Sequence, residues 1–412
     1  MQTSRKIVLF QWVQLLALSA VHMWVDLISN MLPSILPAVQ KYFTLSLSKA
    51  GSFLAIELLI CNGIQVFVGL LRTDKDKPFF MYIGMVLVVG ICLIGLLPAQ
   101  GNHTTLIIVT MAVVTGIGIG IVHPEGLRAI HHLSEIPPAI STAVFMAGGF
   151  VGYAGGGAVS TTLVSKFGLK GLLLLFLGPA VFIILIAFLK IRLAVEPRKQ
   201  VCGFEGGSVA DSLAGQEKPK MWQISFWPVL LTAVFAAIST TVLVALLPTA
   251  LKEFDFELTF GGFSSTMFGL GGAIGAFIIA AIAHKKGEFR CLIFSLLAVI
   301  PFLVAYLILM NNRYAIWLLF GVGFFAVAAY ILMITIARRS VGPSLGVRMG
   351  LIVGGTWATA NLVYMAVLPI AEKLGTASVL KFVPIGYVCS AVLAVGLLVM
   401  TNRKVRQGYT VS

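Results

Sequence analysis

The sequence predicts an all-α polytopic membrane protein, with twelve transmembrane helices arranged as two six-helix repeats. Three observations carry that expectation: very little charge, twelve apolar runs of membrane-spanning length, and an internal duplication. Apolar residues (Ala, Val, Ile, Leu, Met, Phe, Trp, Tyr, Cys) make up 59% of the 412 residues, and 11% are charged. Globular domains carry about 25% charged residues, so a soluble fold of this composition would have no polar skin. Soluble enzymes, disordered chains and disulfide scaffolds are excluded on that ground.

A hydrocarbon core of about 30 Å takes about 20 apolar residues per helix. On that rule the first six spans fall near 8–32, 47–71, 79–99, 104–128, 138–163 and 170–193. Arg5 and Lys6 precede the first run, as in a signal peptide. The run continues past Ala20, which favours an uncleaved signal-anchor helix. A polar stretch at 194–222 follows, holding Glu196, Arg198, Lys199, Glu205, Asp211, Glu217, Lys218 and Lys220. Six more spans fall near 225–250, 259–284, 289–310, 314–337, 348–372 and 377–401. The expected organisation is a six-helix bundle at 1–193, a linker at 194–222 and a second bundle at 223–412.

With the N-terminus in the cytoplasm, the outer loops hold eight of the 29 Lys and Arg: Lys41, Lys49, Lys166, Lys170, Lys252, Arg313, Lys373 and Lys381. The excess on the other side places both termini and the linker in the cytoplasm. The net charge of +14 then reads as topology signal and attraction to anionic lipid, with no nucleic-acid partner. The five cysteines, Cys61, Cys92, Cys202, Cys291 and Cys389, lie far apart without metal-ligand spacing. No metal or cofactor is expected.

The duplication appears at an offset of 211 residues, where LPAVQKYFTLSLSKAG (36–51) lies over LPTALKEFDFELTFGG (247–262). Leu36, Pro37, Lys41, Phe43, Leu47 and Gly51 recur as Leu247, Pro248, Lys252, Phe254, Leu258 and Gly262. Two parallel six-helix repeats around a linker describe a transporter with its cavity between the halves. The architecture resembles that of the major facilitator superfamily.

A charge inside a membrane helix costs a few kcal/mol on insertion scales and asks for a reason. Asp26, Glu57 and Glu125 fall clearly within spans, all in the N-terminal half. His22, Asp26 and Asn30 share a helical face at i, i+4 and i+8, as do Glu57, Cys61 and Gln65. With the first span centred near residue 20, Asp26 is expected about 9 Å outward of the midplane, and Glu57 about 4 Å outward. Two carboxylates in one cavity repel, an arrangement suited to carrying a proton. Proton coupling through Asp26, Glu57 and His22 is one reading; a fixed His22–Asp26 brace is the other.

The fourth span ends in GIGIGIVHPEGLRAIHH (116–132). Pro124 removes a helical donor and restricts His123, which predicts a kink. Glu125 and Arg128 can pair at i, i+3 near the inner mouth. His123, Pro124, Glu125 and Arg128 are read as an inner gate, or Glu125 and Arg128 as a pair closing the helix end. Gly148, Gly152 and Gly156 repeat at i, i+4, i+8, a spacing that lets two membrane helices approach. In the C-terminal half, Trp357, Asn361 and Tyr364 on one helix face, with Thr240, suit a polar organic ligand. Asn30 and Gln65 complete the expected substrate cavity.

SAVHMWVDLISNMLPSILP (19–37), TDKDKPFFMYIGM (73–85), HPEGLR (123–128) and GGFVGYAGG (148–156) together resemble the fosmidomycin resistance proteins, a bacterial drug-efflux branch of that superfamily. The likeness covers the first five helices best. It implies residence in the bacterial inner membrane and proton/drug antiport. It also implies that Asp74, in the loop after the second span, helps lock the inner gate. Here Gly69 stands five residues before Asp74, and Lys75 and Lys77 follow without the superfamily's second loop Gly. Antiporters usually carry Pro after the last glycine pair of the fifth helix, where this chain has Gly156-Gly157. Antiport is therefore implied by likeness and by the acidic residues, not by that motif.

The expected function is secondary transport by alternating access: proton-coupled efflux of a small polar or amphipathic compound. The expected partners are protons, a small-molecule substrate and lipid, with a monomer sufficing. An importer, such as a siderophore or organic-anion permease, is the alternative. No nucleophile–base–orienter set and no Gly-x-x-x-x-Gly-Lys nucleotide loop argues for an enzyme or a primary pump.

Overall fold

The computed structural model describes residues 2–71, 75–101, 103–195 and 224–406. Among these residues the secondary structure is helical apart from a single bridge between Ser225 and Val341. Eleven segments are long and apolar enough to cross a membrane. One of them, Ile140–Phe188, has 49 residues, about 74 Å of helix against a bilayer core of about 30 Å. It turns back at Gly168, whose φ of +63° lies in the left-handed region that glycine enters without a Cβ clash. There α6 (Pro138–Phe167) ends, and a 3-10 stretch (Gly168–Phe176) leads into α7 (Leu177–Phe188). The crossings among the described residues therefore number twelve. Of the expected 194–222 linker, all but the first two residues lie outside the described residues.

The first crossing is longer than its apolar pattern suggests. It joins α1 (Gln2–Ser29) to α2 (Met31–Phe43) in one span of 38 residues, Lys6–Phe43. The helices join at Asn30 (φ −98°, ψ 12°), because Pro33 has no N–H to give the Ser29 carbonyl. The midpoint of this 38-residue segment is about residue 25, next to Asp26, whereas the apolar run alone placed Asp26 beyond the centre of the span.

The N-terminal half continues with α3 (Leu47–Leu71), α4 (Phe79–Val88) with its 3-10 extension Val89–Leu96, and α5 (Thr104–His131). α5 continues as helix past Pro124 to His131. The second half holds α8 (Phe226–Glu253), α9 (Leu258–Lys286), α10 (Glu288–Ile308), α11 (Ile316–Arg339), α12 (Leu345–Gly350), α13 (Thr356–Leu374), α14 (Thr376–Leu380) and α15 (Val383–Arg406). A π-helical turn, Leu351–Gly355, joins α12 to α13. The duplication is visible in the backbone. Thr44 and Asp255, 211 residues apart, end α2 and α8 with φ of 54° and 62°.

Within each half, glycines let helices touch backbone to backbone. Gly116 and Gly120 of α5 face the carbonyls of Glu57 and Cys61 on α3, and Gly271 and Gly275 of α9 face those of Phe320 and Phe324 on α11. Gly148, Gly152 and Gly156 of α6 face the Ser19, Met23 and Leu27 carbonyls of α1 in turn.

The two halves meet at the end that carries the Thr44 turn. Ser34 Oγ donates to Ser265 Oγ at 3.2 Å, and the Ala158 N–H to Thr266 Oγ1 at 3.3 Å. Ser48 donates from N (2.9 Å) and from Oγ (2.5 Å) to Glu372 Oε2. Gly51 of α3 sits under Tyr364 and Leu368 of α13. Along that same α3 face, Gly51, Leu54 and Ala55 are buried, while Leu58, Asn62 and Gln65 are partly exposed. On the opposing element Leu368, Tyr364 and Asn361 are buried, Trp357 is half-buried and Val353 is exposed. A cleft therefore opens between the halves toward the other end.

Candidate functional site

The polar centre of the N-terminal half is built on α1, α5 and α6. Asp26 projects from α1 between two imidazoles: Oδ1 lies 2.9 Å from His123 Nε2, and Oδ2 lies 3.2 Å from His22 Nε2. His22 sits one turn before Asp26, and its Nδ1 is 2.9 Å from the Phe145 carbonyl. Its ring stacks on the Phe145 ring with centroids 4.2 Å apart. His123 Nδ1 is 2.9 Å from the Ile119 carbonyl of its own helix. A carbonyl only accepts, so both Nδ1 atoms carry the hydrogen and donate it. α6 passes the group at Gly149, where a Cβ would come within 2.6 Å of Asp26 Oδ2 and 2.7 Å of His22 Nε2. About a fifth of the Asp26 and His123 side chains is exposed (20% and 21%), whereas His22 is buried.

This arrangement differs from the sequence expectation in two ways. His123, read as part of the inner gate, joins His22 and Asp26 instead. Glu57, expected beside Asp26, packs elsewhere: its carbonyl faces Gly116, seven residues before His123 on α5, or about 10 Å along that helix. Glu57 is 0% exposed, and neither carboxylate oxygen has a hydrogen-bond partner among the described residues. No hydrogen bond joins the Glu57 and Asp26 carboxyl groups.

At the end of α5, Arg128 Nη1 donates to Glu125 Oε1 at 3.0 Å, and Glu125 is fully buried. Arg128 also donates to the carbonyls of Lys75 (2.5 Å) and Ala194 (2.8 and 3.1 Å). These partners all belong to the N-terminal half, so the pair ties α5 to the loop before α4 and to the chain beyond α7. Asp74, the remaining gate residue, lies outside the described residues.

The expected cavity residues are mostly occupied by their own helices or half. Asn30 Nδ2 donates to the Tyr153 carbonyl at 2.7 Å, and Gln65 Nε2 to Cys61 Sγ at 3.2 Å. Thr240 Oγ1 is 2.7 Å from the Tyr387 hydroxyl, and Asn361 Nδ2 donates to the Trp357 carbonyl at 2.9 Å. Asn361 Oδ1 and the Tyr364 hydroxyl are buried without partners among the described residues. Trp357 meets Tyr330 edge to face at 5.0 Å, and Tyr330 donates to the Ile352 carbonyl in the π turn at 3.2 Å. Sequence reading missed Tyr330, Tyr387 and Phe145, and it missed Ser48 and Glu372 at the closed seam. None stands in a polar or periodic motif that would have marked it.

Twelve crossings in two related halves, joined at the Thr44 end and carrying buried titratable groups in the N-terminal half, define a polytopic transporter fold. The Major Facilitator Superfamily family model matches residues 18–363, and the chain belongs to that superfamily. A curated relative, the fosmidomycin resistance protein of Escherichia coli (strain K12), is 24% identical over 153 residues. That match covers 37% of this chain and 36% of the relative, about a third of its length. Among solved structures, a bacterial homologue of the human lysosomal transporter Spinster, in an inward-facing and unoccupied conformation, aligns with TM-score 0.64 at 15% identity, covering 95% of both chains. A single-substitution mutant of the nucleoside transporter NupG aligns with TM-score 0.69 at 13% identity, covering 94% of this chain and 99% of that one. These two likenesses speak to the fold alone.

Proposed function

We propose that this superfamily transporter exports a small polar or amphipathic compound in exchange for protons, with Glu57 as the proton-carrying group. The observation that carries the proposal is the isolation of Glu57. Its carboxyl is fully buried on α3 against α5, with no partner for either oxygen among the described residues. An unpaired charge there would cost several kcal/mol, and one proton removes it. Asp26, by contrast, has an imidazole on each oxygen. The likeness to the fosmidomycin resistance protein favours export. The charge distribution among the loops favours a cleft open to the cytoplasm, where an exporter collects substrate.

Everted membrane vesicles test both parts. With an acidified lumen, compounds from a panel should accumulate inside vesicles that carry the wild-type chain. Glu57→Gln should lose that dependence on the proton gradient while still exchanging substrate down its own gradient. Accumulation in right-side-out vesicles instead would make the chain an importer. Full gradient-driven transport by Glu57→Gln would remove Glu57 from coupling.

A further inference from the structure

We propose that His22, Asp26 and His123 bind one divalent transition-metal ion of the Zn²⁺ class. The ligand-capable atoms of the three side chains all lie within 4.8 Å of one another. Their tautomers are what give the cluster its meaning. Each Nδ1–H is already committed to a carbonyl, Phe145 for His22 and Ile119 for His123. In the neutral rings each Nε2 therefore offers a lone pair, and both lone pairs aim at the Asp26 carboxylate. Three acceptors converge with no hydrogen of their own to share. Such a group is stable only around a positive charge.

Histidines that ligate metals use the same arrangement, giving the N–H on one ring nitrogen to a carbonyl or carboxylate and the lone pair on the other to the ion. Two imidazoles and one carboxylate suit Zn²⁺, Co²⁺, Ni²⁺ or Fe²⁺, whereas Mg²⁺ and Ca²⁺ want oxygen throughout. Bonds of about 2.0–2.2 Å place tetrahedral ligands about 3.3 Å apart. The two nitrogen-to-oxygen separations, 2.9 and 3.2 Å, are within tenths of an ångström of that value, and all the ligand atoms lie within 4.8 Å of one another, so the imidazole nitrogens need only draw together. The partial exposure of Asp26 and His123 leaves a side open for entry of an ion. Among the described residues, the ion-pair partners of Asp26 are these two histidines, so no Lys or Arg fills the ion's place. His123 stands 97 residues from Asp26 in sequence, which is why ligand spacing along the chain gave no sign of a site. This site is independent of the direction of transport and of the role of Glu57.

The test uses purified full-length protein, stripped with a chelator and titrated with Co²⁺ as a spectroscopic probe. The expected result is one Co²⁺ per chain with visible d–d bands that Zn²⁺ abolishes by displacement. Asp26→Asn and His123→Ala should weaken binding by at least about tenfold, the scale on which even changes to outer partners act. His123→Cys supplies a positive control for folding: it should retain Co²⁺ and add a sulfur-to-cobalt charge-transfer band that wild type lacks. Absence of stoichiometric binding, or binding indifferent to Asp26→Asn and His123→Ala, would overturn the proposal. Protons would then supply the charge between the imidazoles and the carboxylate.

Discussion

At Gly152 the backbones of α1 and α6 are in contact, and a Cβ there would strike the Met23 carbonyl. Gly155, on the same helix, has only Leu27 Cδ1 in reach, at 4.0 Å. Gly152→Ala should therefore lower the melting temperature of the detergent-solubilised protein, at an overpacking cost of about 1–3 kcal/mol. Gly155→Ala should leave it unchanged or raise it slightly, since alanine is the better helix former by about 0.5–1 kcal/mol. Equal melting of the two variants would mean that the helices do not rely on this contact. The glycine spacing was legible because helical periodicity alone puts 148, 152 and 156 on one face. The His22–Asp26 contact was legible from i, i+4 spacing, but the second partner, His123, was not, because nothing local ties residue 26 to residue 123. Glu57 was visible as a residue type; that neither of its oxygens finds a donor is a property of the packed bundle.

Helix α5 shows how an element can be read correctly while its role shifts. The Glu125–Arg128 pair was legible from i, i+3 spacing, and it forms, but Arg128 reaches further, to the Lys75 and Ala194 carbonyls. No sequence pattern predicts those two acceptors, since backbone carbonyls look alike along a chain. A guanidinium can serve three acceptors at once where an ammonium on a flexible stem cannot. Arg128→Ala should destabilise by about 1.5–3 kcal/mol, because it removes a charge-assisted hydrogen bond to a fully buried carboxylate. Glu125→Gln should cost much less, since the guanidinium keeps both carbonyls. The double variant should recover part of the loss, which a double-mutant cycle of thermal unfolding would measure. An additive cycle would show that the two side chains act separately. The first crossing is the opposite case. Its apolar run was legible, but the join at Asn30 and the continuation as α2 were not, and that displaced the inferred depth of Asp26.

For the molecule as a whole, the duplication was legible in six identities, and it returns as paired backbone features such as the left-handed Thr44 and Asp255. What the repeat concealed is that its two seams close differently. At the α6–α9 seam, Gly157 and Gly262 bring backbones together. At the α3–α13 seam, the Glu372 carboxylate takes both the N–H and the hydroxyl of Ser48 at the start of α3. The residue at the position equivalent to Glu372 is Thr161, so this carboxylate has no counterpart in the other seam. An anion at a helix N-terminus, hydrogen-bonded by the first turn, stabilises it by about 0.3–1 kcal/mol, and more where the geometry is good. The Ser48–Glu372 contact joins opposite halves, so it must break when the cleft opens at the Thr44 end. Glu372→Ala should then shift the resting population toward that opening, about tenfold if the contact contributes about 1.4 kcal/mol. Two single-cysteine probes would read the shift in a chain without native cysteines. Leu368→Cys, buried under the closed seam, should react faster with an impermeant thiol reagent added on the Thr44 side. Gln65→Cys, nearer the open end of α3, should react more slowly from the opposite side. If Glu372→Ala alters neither rate, the contact is a surface hydrogen bond that does not hold the seam closed.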